Sequence, residues 1–330
     1  MSKYKLGSFV MVVVLFGGQS YGQTPKWYKF NKAFINRNVA QDSALGQLDS
    51  SQAFPASQPH SISCGGNDGE LHVGIPGRAI LGSTGPLLVS APGNESDRNF
   101  GIVAEPANAS ADLVKFFKSN QGESVSFFGY YRVWNEGHDV GAVHPSNPHH
   151  VLELHPAWAI KIGDRTVVKP GSIFAMSEYQ GYGASKYGPL LTSISTHKWL
   201  EVAEDENYVY VQLVKAENFY QLPVTVKGIH PIQKGVEAIV DVYSDFSRSR
   251  LVYPNLRVIA VEGTLFATQL ASGQNAYLLG IFSVNLRRAM AAASGHEGIG
   301  GAVYAPDTLE FFTFGIPQKP PVSSSTSCKD

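Results

Sequence analysis

The chain is poor in cysteine, in charge and in long apolar runs, and each shortage closes off a class of protein. Two cysteines among 330 residues, Cys64 and Cys328, supply no Cys-x-x-Cys pair and no Cys/His zinc spacing. In an oxidising compartment they could form a single disulfide; the alternative is that both stay free or pair between chains. Charged residues make up 16% of the chain, below the usual quarter or so, and the formal net charge is −1. Without a Lys/Arg tract, binding of nucleic acid through its phosphates is not expected, nor is attraction to an anionic membrane. No Gly-x-Ser-x-Gly elbow is present, and neither cysteine has a partnered context for nucleophilic catalysis.

The apolar run at 9–16 is too short to span a bilayer. Lys3 and Lys5 precede it and the small residues Ser20 and Gly22 follow, which is the layout of a secretory signal peptide over residues 1–22. A secreted or periplasmic protein is expected, with no transmembrane segment in the mature chain. Residues 23–66 are polar and broken by Asn36, Asn38, Pro55 and Pro59, and read as an extended or disordered leader. Residues 316–330, rich in proline and serine, read as a disordered tail. The stretch between, 67–315, is expected to form a single β-rich domain.

Within it, apolar and polar residues alternate with a period of two over many short segments, as in strands whose successive side chains point to opposite faces. Strands are expected at 125–134, 149–162, 224–229, 236–243, 257–269, 276–284 and 309–314, with a hairpin formed by 199–203 and 207–214. Two helices are expected. One, near 108–120, has Leu113, Phe116 and Phe117 at helical spacing, and the other, 285–293, has Asn285 as its cap. The predicted class is mainly β, an OB-like or related β-barrel with one or two short helices.

The chemistry-bearing residues concentrate in residues 122–164, which hold five of the ten histidines: His138, His144, His149, His150 and His155. Alternation places Tyr130, Arg132 and Trp134 on one face of the first strand. In the second, Glu153 and His155 share the face opposite Leu152 and Leu154, roughly 6.5–7 Å apart. If the two strands pair antiparallel, Arg132, Trp134, Glu153 and His155 meet on one surface. The connection between the strands is too long for a tight hairpin to fix that register.

The run Ser146-Asn147-Pro148-His149-His150-Val151-Leu152-Glu153-Leu154-His155-Pro156 is followed by Glu262-Gly263-Thr264, by Leu279-Gly280-Ile281 and by Val284-Asn285-Leu286. This pattern resembles a set of uncharacterised secreted bacterial proteins over residues 122–293. The resemblance implies one domain across both halves and carries no activity with it.

Three functions fit these residues, and they leave open whether the protein is an enzyme. The first is a binding face of Tyr130, Arg132, Trp134, Glu153 and His155 for a small molecule or glycan, since aromatic rings beside a cation suit such ligands. The second is a metal-dependent hydrolase with Glu153 and His155 as catalytic candidates. Carboxylate and imidazole are proper ligands for a divalent metal cofactor, and His149 could join them where the chain bends. The third is a structural envelope or interaction role, in which Arg132 and Glu153 form a cross-strand pair.

Overall fold

The computed structural model describes residues 25–39, 42–51, 54–55, 71–80, 89–90, 101–106, 111–139, 145–166, 194, 200–216, 218–245, 247–262, 267 and 271–315. The expected signal peptide, the C-terminal tail beyond residue 315, His144 and both cysteines lie outside the described residues.

Among the described residues the strands form three β-assemblies. A five-stranded sheet runs in the order β16 (Val303–Tyr304), β10 (Glu201–Glu204), β11 (Tyr208–Leu213), β1 (Lys26–Asn31), β5 (Val89–Ser90). In a second sheet the order is β2 (Gly46–Ser50), β7 (Val125–Val133), β8 (Leu152–Ile162), β6 (Gly101–Ala104), β4 (Val73–Pro76), β3 (Phe54–Pro55), with β9 (Arg165–Thr166) also on β8. The third assembly is a closed five-stranded barrel of β12 (Phe219–Ile232), β13 (Gly235–Tyr243), β14 (Leu251–Val261), β17 (Leu309–Gly315) and β15 (Asn275–Val284). Its neighbours are antiparallel except β14 and β17, and spatial order departs from chain order, so the closure is OB-like.

Among the described residues three α-helices are seen over their length, α1 (Lys32–Asn38), α2 (Ala111–Ser119) and α3 (Leu286–Ala293). As its sequence predicts, α3 is capped by Asn285, whose side chain accepts from the Arg288 N–H. Among the described residues no helix is long and apolar enough to cross a membrane.

Two expectations are corrected. The first concerns the leader at 23–66, which contributes β1, α1 and β2. Tyr28 and Phe30 of β1 are fully buried where the strand pairs with β11, and Leu48 of β2 pairs with Phe127. These segments are too short to show a period of their own. What orders them is pairing with strands distant in sequence.

The second correction is that β7 and β8, which carry the predicted site, lie outside the barrel, whose strands all come from residues 219–315. Their odd-face residues, Phe127, Tyr131 and Val133, pack with Leu152 and Leu154 in one core that also holds Tyr28 and Val211 of the five-stranded sheet. The opposite face abuts the barrel. There Tyr130 and Trp158 join Ile259, Ile281 and Phe312, while Trp134 enters the barrel core against Phe282. Trp158 reaches that side because the ladder slips between Phe128 and Gly129: Ala159 pairs with Phe128 and Ala157 with Gly129, leaving Trp158 as an extra residue.

Candidate metal centre

Antiparallel pairing of β7 and β8 sets Arg132 opposite Glu153, the register on which the predicted cluster depends. Two residues on, His155 falls on the same face. Strand β6 then runs parallel to β8 with Val103 beside Glu153 and Ala104 beside Leu154, so the next residue, Glu105, arrives beside His155. Backbone bonds hold it there: the Glu105 N–H donates to Leu154 O (3.0 Å) and its carbonyl accepts from the Ala157 N–H (3.0 Å).

The polar groups interlock. His155 Nδ1 lies 2.9 Å from Glu105 Oε2 and 3.1 Å from Glu153 Oε2. Because an ionised carboxylate only accepts, Nδ1 carries the proton. Arg132 Nη1 donates to Glu153 Oε2 (3.2 Å) and to Glu136, and Nε donates to Phe282 O of the barrel (3.0 Å). The guanidinium therefore ties the sheet to the barrel.

Glu105 and Glu153 turn their second oxygens the other way. His72 Nε2 lies 3.6 Å and His150 Nε2 3.9 Å from Glu105 Oε1, and His150 Nε2 is 3.5 Å from Glu153 Oε1. His138 packs on the His150 ring with centroids 4.8 Å apart, and its side chain is 34% exposed. It stands at the outer end of the cluster.

Burial overturns the outward binding face. Arg132 and His155 are 0% exposed, Trp134 1% and Glu153 2%, so none of them offers surface to a sugar or a base. The alternation was real, but the barrel covers the face it predicted. Trp134 stacks on Phe282 at 5.7 Å with Arg132 above its ring. Tyr130, also buried, points away from this group and donates to Glu310 (2.5 Å), which also pairs with Arg257. Glu105, Glu153 and His155 form a group whose ligand atoms lie within 4.8 Å of one another, and His149 is not part of it. The histidine of that pair that meets the carboxylates is His150.

The environment sets the protonation of these groups. Burial pushes the Glu105 carboxyl up, yet the imidazoles of His72, His155 and His150 hold it well below the ordinary glutamate value. Glu153 is likewise lowered: burial and the Glu105 charge oppose ionisation, and Arg132 and the bond from His155 outweigh them. Glu136 is raised, because burial together with Glu153 and Glu105 outweighs Arg132. Burial lowers His150, favouring the neutral ring.

Glu105, Glu136, His72 and His150 were missed as site residues from sequence. The available signal was a glutamate closing the apolar run Ile102-Val103-Ala104, since an acid in a buried strand is rare unless paired.

Comparison with known proteins adds little. No family model matches the chain. No curated protein matches it either. Among solved structures, the chain is similar to the single-stranded DNA binding protein from Thermus aquaticus at 9% identity. That match covers 88% of this chain and 98% of the other with a TM-score of 0.19. A deletion mutant of the same protein gives 9% identity, 84% and 94% coverage and a TM-score of 0.19. A structure titled "Molecular basis for abrogation of activation of pro-inflammatory cytokines" gives 9%, 82% and 94%, and 0.17. Superpositions this loose transfer no function.

Proposed function

We propose that the protein binds one divalent cation at the paired carboxylates of Glu105 and Glu153, in the seam between the seven-stranded sheet and the barrel. The observation that carries this reading is the convergence of buried carboxylates and imidazoles. The ligand atoms of Glu105, Glu153 and His155 lie within 4.8 Å of one another, and His150 Nε2 lies 3.9 Å and 3.5 Å from the outer oxygens of the two glutamates. Buried charge is costly unless compensated, by several kcal/mol or so per ion. A divalent ion between Glu105 and Glu153 compensates both carboxylates, and the mixed oxygen and nitrogen donor set suits zinc, manganese or iron.

Binding is favoured over hydrolysis because Glu153 and His155, at most 2% exposed, offer no surface to a substrate. Export of the protein is proposed on the pattern of residues 1–22 alone. The test is metal analysis of purified, chelator-stripped protein titrated with zinc and with manganese. One equivalent is expected in the wild type and none in the doubly substituted Glu105→Gln, Glu153→Gln chain, with both folded by circular dichroism. Folded wild-type protein that takes up neither ion at millimolar concentration would remove the proposal.

A further inference from the structure

The two glutamates are not symmetric in what their oxygens face, and the asymmetry decides where an ion sits. Glu105 Oε2 and Glu153 Oε2 both meet His155 Nδ1, and Arg132 Nη1 supplies a further donor to Glu153 Oε2. That side is already furnished with protons and a positive charge. The Oε1 side meets His150 and His72 instead.

His150 fixes the argument. Its Nδ1 lies 2.8 Å from Pro148 O, and a carbonyl only accepts, so Nδ1 carries the hydrogen. Nε2 is then the ring atom turned into the cluster. It is 1% exposed, makes no hydrogen bond, and is directed at Glu153 Oε1 and Glu105 Oε1. A buried ring nitrogen with no hydrogen bond, aimed at two carboxylate oxygens, is an arrangement that a cation between them would complete. A ring nitrogen bonded to a backbone carbonyl with the other nitrogen turned inward is also how metal-bound imidazoles are held.

Resting on the cation reading above, we infer that the ion is seated on the Oε1 side, ligated by Glu105, Glu153, His150 and His72, while His155 and Arg132 are positioning residues that hold the opposite oxygens. Three of the spacings around this seat can be set beside those of a bound ion. Zinc bonds of about 2.0–2.2 Å set neighbouring ligand atoms roughly 3–3.5 Å apart around a tetrahedral ion. Across this side His150 Nε2 lies 3.5 Å from Glu153 Oε1 and 3.9 Å from Glu105 Oε1, and His72 Nε2 lies 3.6 Å from Glu105 Oε1. His138, partly exposed, packs against the His150 ring.

The experiment is zinc titration of the stripped full chain, read by calorimetry and by proton–nitrogen correlation of the histidine side chains. His150→Ala and His72→Ala are expected to weaken zinc by more than about 100-fold, beyond the 10–100-fold that outer-shell partners typically contribute. His155→Gln is expected to stay within about that 10–100-fold range. In wild-type protein, which does not depend on any variant folding, the His150 Nε2 resonance should report an unprotonated nitrogen and move on zinc binding. The His155 Nδ1 proton should persist.

Loss of the His155 Nδ1 proton with an unmoved His150 would overturn this seat and leave the cation reading standing. A doubly protonated His150 that zinc does not change would overturn it in the same way. Absence of both zinc and manganese binding in the folded wild type would remove both.

Discussion

Arg132 stands directly across the β7–β8 ladder from Glu153, with Nη1 3.2 Å from Glu153 Oε2, and the pair is sealed between sheet and barrel. The same guanidinium donates to a barrel carbonyl, Phe282 O, at 3.0 Å. One side chain therefore balances the carboxylates and joins two β-assemblies.

Removing it should be severe. Arg132→Met leaves buried carboxylates uncompensated, and the expected loss is about 3–5 kcal/mol by urea denaturation of stripped protein. Saturating zinc should recover part of that loss, because a cation replaces the missing charge. A loss under about 1 kcal/mol, the range of an exposed pair, would contradict the burial argument.

Acid should act through Glu105. Its folded pKa lies below the ordinary 4.5, so it contributes stability that is fully present above 4.5 and lost as pH falls toward the depressed value. Melting temperature measured on stripped protein from pH 7 to pH 3 should fall more steeply below pH 4.5 for wild type than for Glu105→Gln. Parallel curves would contradict the pairing with His155 and His72.

Two glycines separate effects on the site from effects on the barrel. A Cβ on Gly74 would lie 2.2 Å from Pro145 O, pressing on the crossing that carries His150; one on Gly280 would lie 2.0 Å from Phe312 O inside the barrel. Each change to alanine is expected to destabilise by about 1–3 kcal/mol. Only Gly74→Ala should also weaken zinc binding, measured at a temperature where both variants are folded. Equal affinities would show that the crossing does not position the ligands.

Tyr130 offers a control. Its hydroxyl bonds Glu310 rather than the cluster, so Tyr130→Phe should cost about 1.5–3 kcal/mol in urea denaturation through a lost bond to a charged group. Zinc affinity should be unchanged, and a tenfold shift would join two groups that are here kept apart.

Much of this was legible in the chain. Alternation through Arg132, Trp134, Glu153 and His155 identified one face, and the pairing register follows it. Barrel strands and the Asn285 cap were readable because each is a local pattern. Sequence could not say that the barrel would cover that face, since covering depends on where residues 275–284 pack. Glu105 and His72 escaped for a related reason: β6 and β4 are four-residue strands, and only the β4–β6–β8 pairing carries them to His155 and His150. Counting by twos along β8 favoured His149, yet the ring that meets the glutamates belongs to His150.

The most direct test of the central claim is anomalous diffraction at the zinc edge from crystals of the stripped protein soaked in zinc. The account predicts a peak about 2.0–2.2 Å from an oxygen of both Glu105 and Glu153. Diffraction showing those carboxylates bridged by protein groups alone, with no peak between them, would contradict it.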